Sequence, residues 1–265
     1  LVKVIKSNYS NTRFTVVASE KNYEYIKSFS EIDEVVLLKN NFFSKISLIL
    51  KLRSYYYHTV IVHDGKNRSR FVSFFLKYKK RIVCPSNLIN TQYDTIKKTC
   101  NKLELKFNNN SLNFMDQRNH TATIKLKQDF ILLHFDEKWI FNLYNKKYVN
   151  IEPSIDQFLL FIDKIIYKNK NLVITTGNTK ISLLDTIKKK VNPKNVQILE
   201  NQSLLELESV VFNTKLLISC HGWISHVASA RKIKQVDIID KSYSYDKWTS
   251  HFRNYNYIYR NTFEN

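Results

Sequence analysis

Short apolar runs alternate with amphipathic segments along most of the chain. The runs are rich in Val, Ile and Leu, and the segments between them repeat apolar residues at three- and four-residue spacing. Continuous runs of this kind are typical of buried strands, whereas the wider spacing is typical of helices with one apolar face. Strands joined by helices form parallel sheets covered on both faces. The pattern therefore predicts an α/β fold.

Two alternating series are separated by a polar stretch, 85–125, in which only 91–102 has helical spacing. The first series predicts strands at 13–18, 34–38, 58–63 and 81–84, with helices at 21–29, 41–53 and 67–78. The second predicts strands at 129–134, 171–176, 196–199, 215–220 and 235–239, with helices at 154–167, 182–191, 204–212 and 223–231. One face of the helix at 41–53 carries Phe42, Ile46, Ile49 and Leu50.

The two series predict two Rossmann-like domains, 1–125 and 126–247. The chain opens with a helical apolar pattern and a turn signal rather than with a strand. We therefore expect the first domain to be incomplete and to lack its first strand and loop. Residues 248–265 are aromatic and basic, with Trp248, Phe252, Tyr255 and Tyr259 at near-helical spacing. We expect this tail to form a final helix that packs back on the first domain.

The composition excludes several classes of protein. With 43% hydrophobic and 14% aromatic residues, the chain can form a sizeable core, which excludes global disorder. No apolar run approaches the roughly 20 residues that a membrane-spanning helix needs. Cys84, Cys100 and Cys220 are widely spaced and form no C-x-x-C pair, so a disulfide framework is excluded and a reducing compartment is favoured.

The formal net charge of +19 suggests an anionic partner. Lys supplies most of this charge, and it is dispersed apart from short clusters at 77–81 and 188–190. Asn, Ile, Tyr and Phe are also abundant while Gly and Pro are scarce, as an AT-rich coding sequence would produce. A basic stripe with interleaved aromatic residues, which single-strand binders use, is missing. We therefore expect no nucleic-acid partner, and expect the basic surface to favour a diphosphate or an acidic membrane face.

Candidate chemistry lies at the ends of the predicted strands, where ligands gather in open parallel sheets. The second series places distinctive residues there, at 134–139, 175–177 and 219–226. Gly222 falls at a strand-to-helix turn, where a missing side chain lets a phosphate approach backbone N–H groups and the positive end of the helix dipole. Ser225 and His226 lie in the first turn of that helix and would face the same place. Alternatively, Gly222 only relieves a tight turn and His226 is a core residue.

The segment 196–239 resembles the donor-site end of the ADP-heptose:lipopolysaccharide heptosyltransferases, glycosyltransferase family 9. The family's order of strand, Gly, His and Ala-x-Ala is present as 216–220, Gly222, His226 and 228–230. Lys138-Trp139 is similar to the family's Lys-x-Trp-Pro segment, although no Pro follows. Cys220 and His221 stand where the family has an acidic residue, and the spacing from Gly222 to His226 is one residue longer. The N-terminal loop with the family's proposed acceptor-activating carboxylate has no counterpart here.

The resemblance implies the GT-B fold, in which two Rossmann-like domains face a cleft. It implies an enzyme that moves a sugar from a nucleotide-diphosphate donor to a lipopolysaccharide or other surface-glycan acceptor, with inversion and without a metal or cofactor. It also implies a cytoplasmic protein, peripheral at an anionic inner membrane face. The residues expected to hold the donor and its diphosphate are Lys138, Thr175, Thr176, Gly177, His221, Gly222, Ser225 and His226.

Other roles and other functions stay open. Asp64 follows a predicted strand of the first series and is our candidate catalytic base, but Asp64-Gly65 is also a common turn dipeptide. Glu206 or Glu208 would hold a ribose hydroxyl or lie on a helix surface. The histidines lack metal-ligand spacing, so no metal site is predicted. The alternatives to an active transferase are an inactive GT-B-like nucleotide- or glycan-binding domain and, third, a basic nucleic-acid-binding α/β protein.

Overall fold

The computed structural model describes residues 1–84, 91–106, 124–169, 171–242, 244–261 and 263. The chain divides into two compact units. Unit 1 is Leu1–Leu112 with Asp246–Ser250, and unit 2 is Asn113–Tyr245 with His251–Asn265. Most of the polar stretch predicted at 85–125 lies outside the described residues. None of the described helices is both long and apolar enough to cross a membrane.

Unit 1 contains two separate pairs of parallel strands with helices against them. Its strands are β1 (Thr15–Ser19), β2 (Glu34–Leu38), β3 (Tyr56–Val62) and β4 (Lys77–Val83). Its helices are α1 (Val2–Asn8), α2 (Tyr23–Lys27), α3 (Phe42–Arg53), α4 (Asn67–Phe74) and α5 (Gln92–Lys102), with a 3-10 turn at Glu20–Asn22. β1 pairs with β2 and β3 with β4. A cavity of about 1590 Å³ is lined by residues of α1, β1 and β3.

The helices of unit 1 begin where the sequence offers side-chain caps. The Asn41 side chain accepts a hydrogen bond of 2.7 Å from the backbone N–H of Ser44 at the start of α3, and Thr91 and Asp94 form a capping box at the start of α5. The buried side of α3 shares only Ile49 with the predicted face. Leu48, Ile49 and Leu52 are buried, whereas Phe42, Ile46 and Leu50 point outward.

Strand β4 begins at Lys77 rather than at residue 81, so α4 ends earlier than predicted. The Lys-rich start of β4 concealed the strand because it carries few apolar residues. Its residues nevertheless pair in register with β3, from Tyr56 opposite Lys77 to Val62 opposite Val83. The backbone pairing therefore outweighs the polar side chains, which lie exposed at Lys77, Lys79 and Lys80.

Unit 2 is built around one parallel sheet of six strands. They are β5 (Phe130–His134), β6 (Asn171–Thr175), β7 (Val196–Leu199), β8 (Leu216–Cys220), β9 (Lys234–Ile239) and β10 (Tyr255–Tyr259), in the order β10-β9-β8-β5-β6-β7. The connecting helices are α6 (Ile155–Asn169), α7 (Ser182–Lys190), α8 (Leu204–Asn213) and α9 (Trp223–Ala230). All five residues of β5 are buried, and apolar clusters cover both faces of the sheet. The α/β class predicted from the alternation is confirmed.

The C-terminal tail is not the helix predicted at 248–265. One short helix, α10 (Asp246–Thr249), is followed by the edge strand β10, which pairs in parallel with β9 from Tyr255 opposite Gln235 to Tyr259 opposite Ile239. Tyr255, Tyr257 and Tyr259 alternate along the strand. This two-residue period, together with the high β-propensity of Tyr, outweighs the approximate helical spacing of the aromatic residues.

Candidate functional site

The sheet of unit 2 has a switch point between its two central strands. From β5 the chain moves outward through β6 and β7, and then returns to the other side of β5 to continue through β8, β9 and β10. The helices after β5 and β8 thus leave on opposite sides, and the strand ends form a crevice that commonly binds ligands. His134 and Cys220 are the last residues of these strands. The segments after both strands belong to this candidate site.

Asp136 and Lys138 form an ion pair directly after β5. Lys138 Nζ lies 2.7 Å from Asp136 Oδ2, and the backbone N–H of Lys138 donates to Asp136 Oδ1 over 3.1 Å. Burial lowers the pKa of Lys138, but the Asp136 carboxylate more than offsets this, so that the pKa is raised overall. Lys138 therefore carries a positive charge whose position is fixed by the turn at 136–138.

Gly222 gives the Lys138 ammonium its space. A Cβ atom at Gly222 would lie 2.6 Å from Lys138 Nζ, closer than real Cβ contacts. Gly222 is the N-cap of α9, and its backbone N–H donates to Ser225 Oγ over 3.3 Å. A fixed cation and the N-terminus of an eight-residue helix therefore meet at the carboxyl ends of β5 and β8.

A buried carboxylate on β9 organises the segment after β8. Asp237, fully buried, accepts hydrogen bonds at Oδ1 from Ser219 Oγ (2.7 Å) and Ser225 Oγ (2.8 Å). Its Oδ2 lies 2.8 Å from Nδ1 of His221, which donates to it. A carboxylate on one imidazole nitrogen fixes the tautomer and orientation of the ring. His221 is therefore a held group, not a mobile surface histidine.

Aromatic rings surround the two histidines of this segment. The ring of His221 lies 5.4 Å from that of His226 and 5.1 Å from that of Tyr245, between ring centres. Phe252 packs edge-on to His226 at 5.0 Å. Burial, together with smaller contributions from the nearby His221 and His251, lowers the pKa of His226 to about 4. His226 is therefore neutral near pH 7.

The segments after β5 and β6 also meet. A Cβ atom at Gly177 would lie 3.0 Å from Glu137 Oε2, so the glycine allows close approach. The hydroxyl of Thr175 is 3.0 Å from Nδ1 of His134, and that of Thr176 donates to the carbonyl of Gly177 over 3.0 Å. Both threonines are buried. The first of these bonds joins the ends of β5 and β6, and the second lies in the segment directly after β6.

Comparison with known proteins places this site in a context. No protein-family model matches the chain, and no curated protein matches it by sequence. The solved structures that match nearly its whole length include a glycosyl transferase family 9 protein from Veillonella parvula (11% identity, TM-score 0.71, 98% of this chain and 80% of that one). They also include an E. coli heptosyltransferase, WaaC, with ADP-2-deoxy-2-fluoro heptose (11%, 0.68, 97% and 87%), and E. coli ADP-heptose lps heptosyltransferase II (12%, 0.63, 97% and 84%).

The chain has the heptosyltransferase fold. At these identities the likeness shows the fold and no more, and it agrees with the α/β fold of the family that the sequence resembles. In this chain's version of the fold, Lys138, His221, Gly222, Ser225 and His226 lie on adjoining segments after β5 and β8. The predicted donor residues are thus brought together, and their role as a donor site remains a prediction.

Asp64 lies in unit 1 and forms a turn within the heptosyltransferase fold. Its Oδ2 accepts from Ser69 Oγ over 2.9 Å and its Oδ1 from the backbone N–H of Lys66 over 3.1 Å. Gly65 has a φ of 60°, which favours glycine. These bonds stabilise the start of α4, as a turn dipeptide would, and its role as a base remains a prediction.

Neither carboxylate suggested for a ribose hydroxyl lies free on a helix surface. Glu206 forms a capping box with Ser203 at the start of α8. Glu208 is fully buried and pairs with Arg231 over 3.0 Å. Among the residues that the structure describes, no group of three or more His, Cys, Asp or Glu side chains is arranged to hold a metal ion.

The sequence-based selection missed three residues that hold the site. Asp136 and Asp237 fix Lys138 and His221, as described. Arg260, at the end of β10, donates from Nη2 to the carbonyl of Lys138 over 2.5 Å and to Cys220 Sγ over 3.3 Å. For Asp237 the sequence contained a signal, because a lone carboxylate in the apolar strand 235–239 must be paired when buried. Arg260 was missed because the tail was interpreted as a helix.

Proposed function

We propose that the chain transfers a sugar from a nucleotide-diphosphate donor to a glycan or glycolipid acceptor, with inversion and without a required metal. The fold shared with proteins solved with ADP and with ADP-2-deoxy-2-fluoro heptose supports a nucleotide-sugar donor. The name of a third, an ADP-heptose lps heptosyltransferase, supports a lipopolysaccharide-type acceptor. The reaction would take place on the cytoplasmic side of an anionic membrane.

The observation that carries the proposal is the position of the Lys138 ammonium against Gly222. When the sugar leaves its donor, negative charge develops on the departing diphosphate, and fixed positive groups lower the energy of that transition state. Lys138 supplies a full charge, and the first N–H groups of α9 supply the positive end of a helix dipole. Both are held in place before any ligand arrives.

His221 would bind the diphosphate through the imidazole nitrogen that Asp237 does not engage. Because Nδ1 donates to Asp237, Nε2 is the nitrogen left for a phosphate oxygen, and with both ring nitrogens protonated it would donate a hydrogen bond to that oxygen. In this role His221 contacts the ligand and Asp237 is a positioning residue. Ser225, which shares the same carboxylate and accepts from Gly222 N–H, would keep the start of α9 in register with the ring. Asp64 is the proposed base toward the acceptor hydroxyl.

The test measures thermal stability with ADP, UDP, GDP and their sugars, each with and without EDTA. A ligand at 100 times its dissociation constant adds about 2.7 kcal/mol to the free energy of unfolding. We expect stabilisation by one nucleotide class, unchanged by EDTA, and loss of it in Lys138→Ala. Gly222→Ala should weaken it as well, because its new Cβ would displace the ammonium.

Lys215→Ala is the matched control. Lys215 pairs with Asp129 over 3.0 Å at the opposite ends of the same two strands, and both side chains are exposed. This variant should keep the full nucleotide effect. Release of nucleoside diphosphate in the presence of a glycolipid acceptor then separates an active transferase from an inactive binding domain. Stabilisation by none of the nucleotides, or equal loss in both Lys variants, would overturn the donor site.

A further inference from the structure

Two neighbouring helices of unit 1 expose large apolar side chains. We define the α3/α4 apolar face as Phe42, Phe43, Ile46, Leu50, Phe71, Phe74 and Phe75. Phe43 is 82% exposed and Phe74 is 67% exposed. The opposite sides of α3 and α4 are buried in one shared cluster with β2, and the two helices contact each other. Their outward sides therefore lie on the same side of unit 1.

Within each of the two helical segments, the exposed rings lie against one another. The ring centres of Phe71 and Phe75 are 5.1 Å apart and those of Phe74 and Phe75 5.4 Å apart, while Phe42 and Phe43 are 6.0 Å apart. Isolated exposed apolar residues are common in folded proteins, but a contiguous group marks an interaction surface. The apolar positions of α3 recur with helical spacing on its outward side, so the sequence builds a second apolar face beside the buried one.

Positive charge is concentrated in the part of the sequence that contains α3 and α4. Eleven Lys or Arg residues and one acidic residue, Asp64, lie between residues 39 and 81, although the whole chain carries 42 basic and 23 acidic residues. Lys39 is exposed immediately before α3, and Lys77 is exposed shortly after α4. Arg53 ends α3. Basic residues are therefore denser in 39–81 than the two short Lys clusters alone indicate.

We propose that the α3/α4 apolar face docks on an anionic lipid surface. Aromatic and aliphatic side chains insert at the boundary between headgroups and acyl chains, and Lys and Arg at the rim attract anionic headgroups. Both requirements are met on one surface of unit 1. A nucleic acid would use the positive charge but would leave Ile46 and Leu50 exposed to water. An acidic protein surface would match the charge, but seven apolar side chains among basic residues fit a bilayer interface better.

This inference gives a location to the membrane contact included in the proposed function. A soluble donor sugar and a lipid-linked acceptor can react only where the enzyme reaches both, so the docking face would bring the chain to its acceptor. The two proposals are tested separately. Vesicle binding requires no nucleotide, and nucleotide binding requires no lipid, so either can fail while the other stands.

The experiment is co-sedimentation of the whole chain with vesicles of phosphatidylcholine alone and with about a third phosphatidylglycerol. We expect binding to the anionic vesicles that weakens with salt. Phe43→Ser with Phe74→Ser should lower the partition coefficient at least about tenfold. Lys39→Gln with Lys77→Gln should lower it roughly 25-fold on anionic vesicles only, since each basic residue near the surface contributes about fivefold.

Matched controls come from unit 2. Tyr167 on α6 is 90% exposed, and Lys189 and Lys190 are exposed at the end of α7. Tyr167→Ser and the pair Lys189→Gln with Lys190→Gln should bind as the unaltered chain does. Thermal midpoints show whether each variant is folded. If the Phe variant is unfolded, comparison of the Lys39/Lys77 variant with the Lys189/Lys190 variant still tests the proposal. Absence of vesicle binding, equal losses in the unit 2 variants, or binding to duplex DNA in preference to anionic vesicles would overturn it.

Discussion

The two units differ in where they place their charged and apolar groups. Unit 2 buries charge: Asp237 and the pair formed by Glu208 and Arg231 are enclosed beneath or beside its six-stranded sheet. Unit 1 has two separate strand pairs, and exposes both its basic side chains and a group of aromatic ones. Buried charges need fixed partners and so suit precise contacts with a small anionic ligand. Exposed apolar and basic groups suit contact with an extended surface such as that of a membrane.

The largest expected difference concerns the buried ion pair of unit 2. Glu208→Ala leaves the Arg231 guanidinium, whose side chain is 1% exposed, without its carboxylate. Removing one member of such a pair typically costs 3–5 kcal/mol, so we expect about this loss in the free energy of unfolding. Urea unfolding followed by tryptophan fluorescence measures it. A loss of less than about 1 kcal/mol would mean that the pair is no more important than a surface one.

Acid should destabilise unit 2 through His226. Its pKa is lowered to about 4 in the folded chain, whereas an unfolded histidine titrates near pH 6.5. Between these values only the unfolded state binds the proton, so stability falls as pH falls through this window, by on the order of 3 kcal/mol. Denaturant midpoints across the window should show the fall, and His226→Gln should reduce it. The exposed His58 of unit 1 provides the control: His58→Gln should leave the pH dependence unchanged.

Asp237→Asn should weaken catalysis more than it weakens the fold. Asn keeps the shape of the side chain and an oxygen for Ser219 and Ser225, but its amide nitrogen cannot accept the Nδ1–H of His221. We expect a loss of roughly 10–100-fold in kcat/KM and a displaced pH profile, as for other residues that orient a functional histidine. Since Asp237 acts through His221, adding His221→Gln should cause little further loss. Additive losses and an unchanged pH profile would indicate a purely structural role.

The smallest effect is expected from an ion pair of unit 1. Lys51 and Glu34 are 3.1 Å apart, with side chains 54% and 25% exposed. Exposed pairs typically contribute 0–1 kcal/mol, so Glu34→Gln should change the free energy of unfolding by less than about 1 kcal/mol. The same urea experiment measures it. A loss comparable to that of Glu208→Ala would erase the contrast between the units.

Strand and helix positions were predictable where burial and sequence period agree. The apolar segments at 34–38 and 196–199 form strands with those same bounds. The prediction failed where the spacing of apolar or aromatic residues fitted two different arrangements. In α3, apolar residues occupy two sides of one helix, so spacing alone selected Ile49 but missed Leu48 and Leu52, which are buried with it. In the tail, aromatic residues fitted a helix roughly and a strand better.

The candidate site was predictable from the positions of rare residues but not from their partners. Gly222 and Gly177 stood out because the chain has three glycines, and both allow a close approach of side chains from the segment after β5. The carboxylates behind the site were not selected. Asp136 pairs with Lys138 within one local turn, which the pattern of apolar residues does not reveal. The pairing of Asp237 with His221 depends on β8 and β9 being neighbours in the sheet.

The position of Arg260 links the segments after β5 and β8 to local opening of the fold. β10 pairs on one side only, with β9, and Arg260 follows it directly. An edge strand frays more readily than a central one. Each time it does so, the guanidinium leaves the carbonyl of Lys138 and the thiol of Cys220, while the buried strands stay paired. The slow exchange of amide hydrogens in β5 and the faster exchange after it would then report two separate openings, one of the core and one of the site.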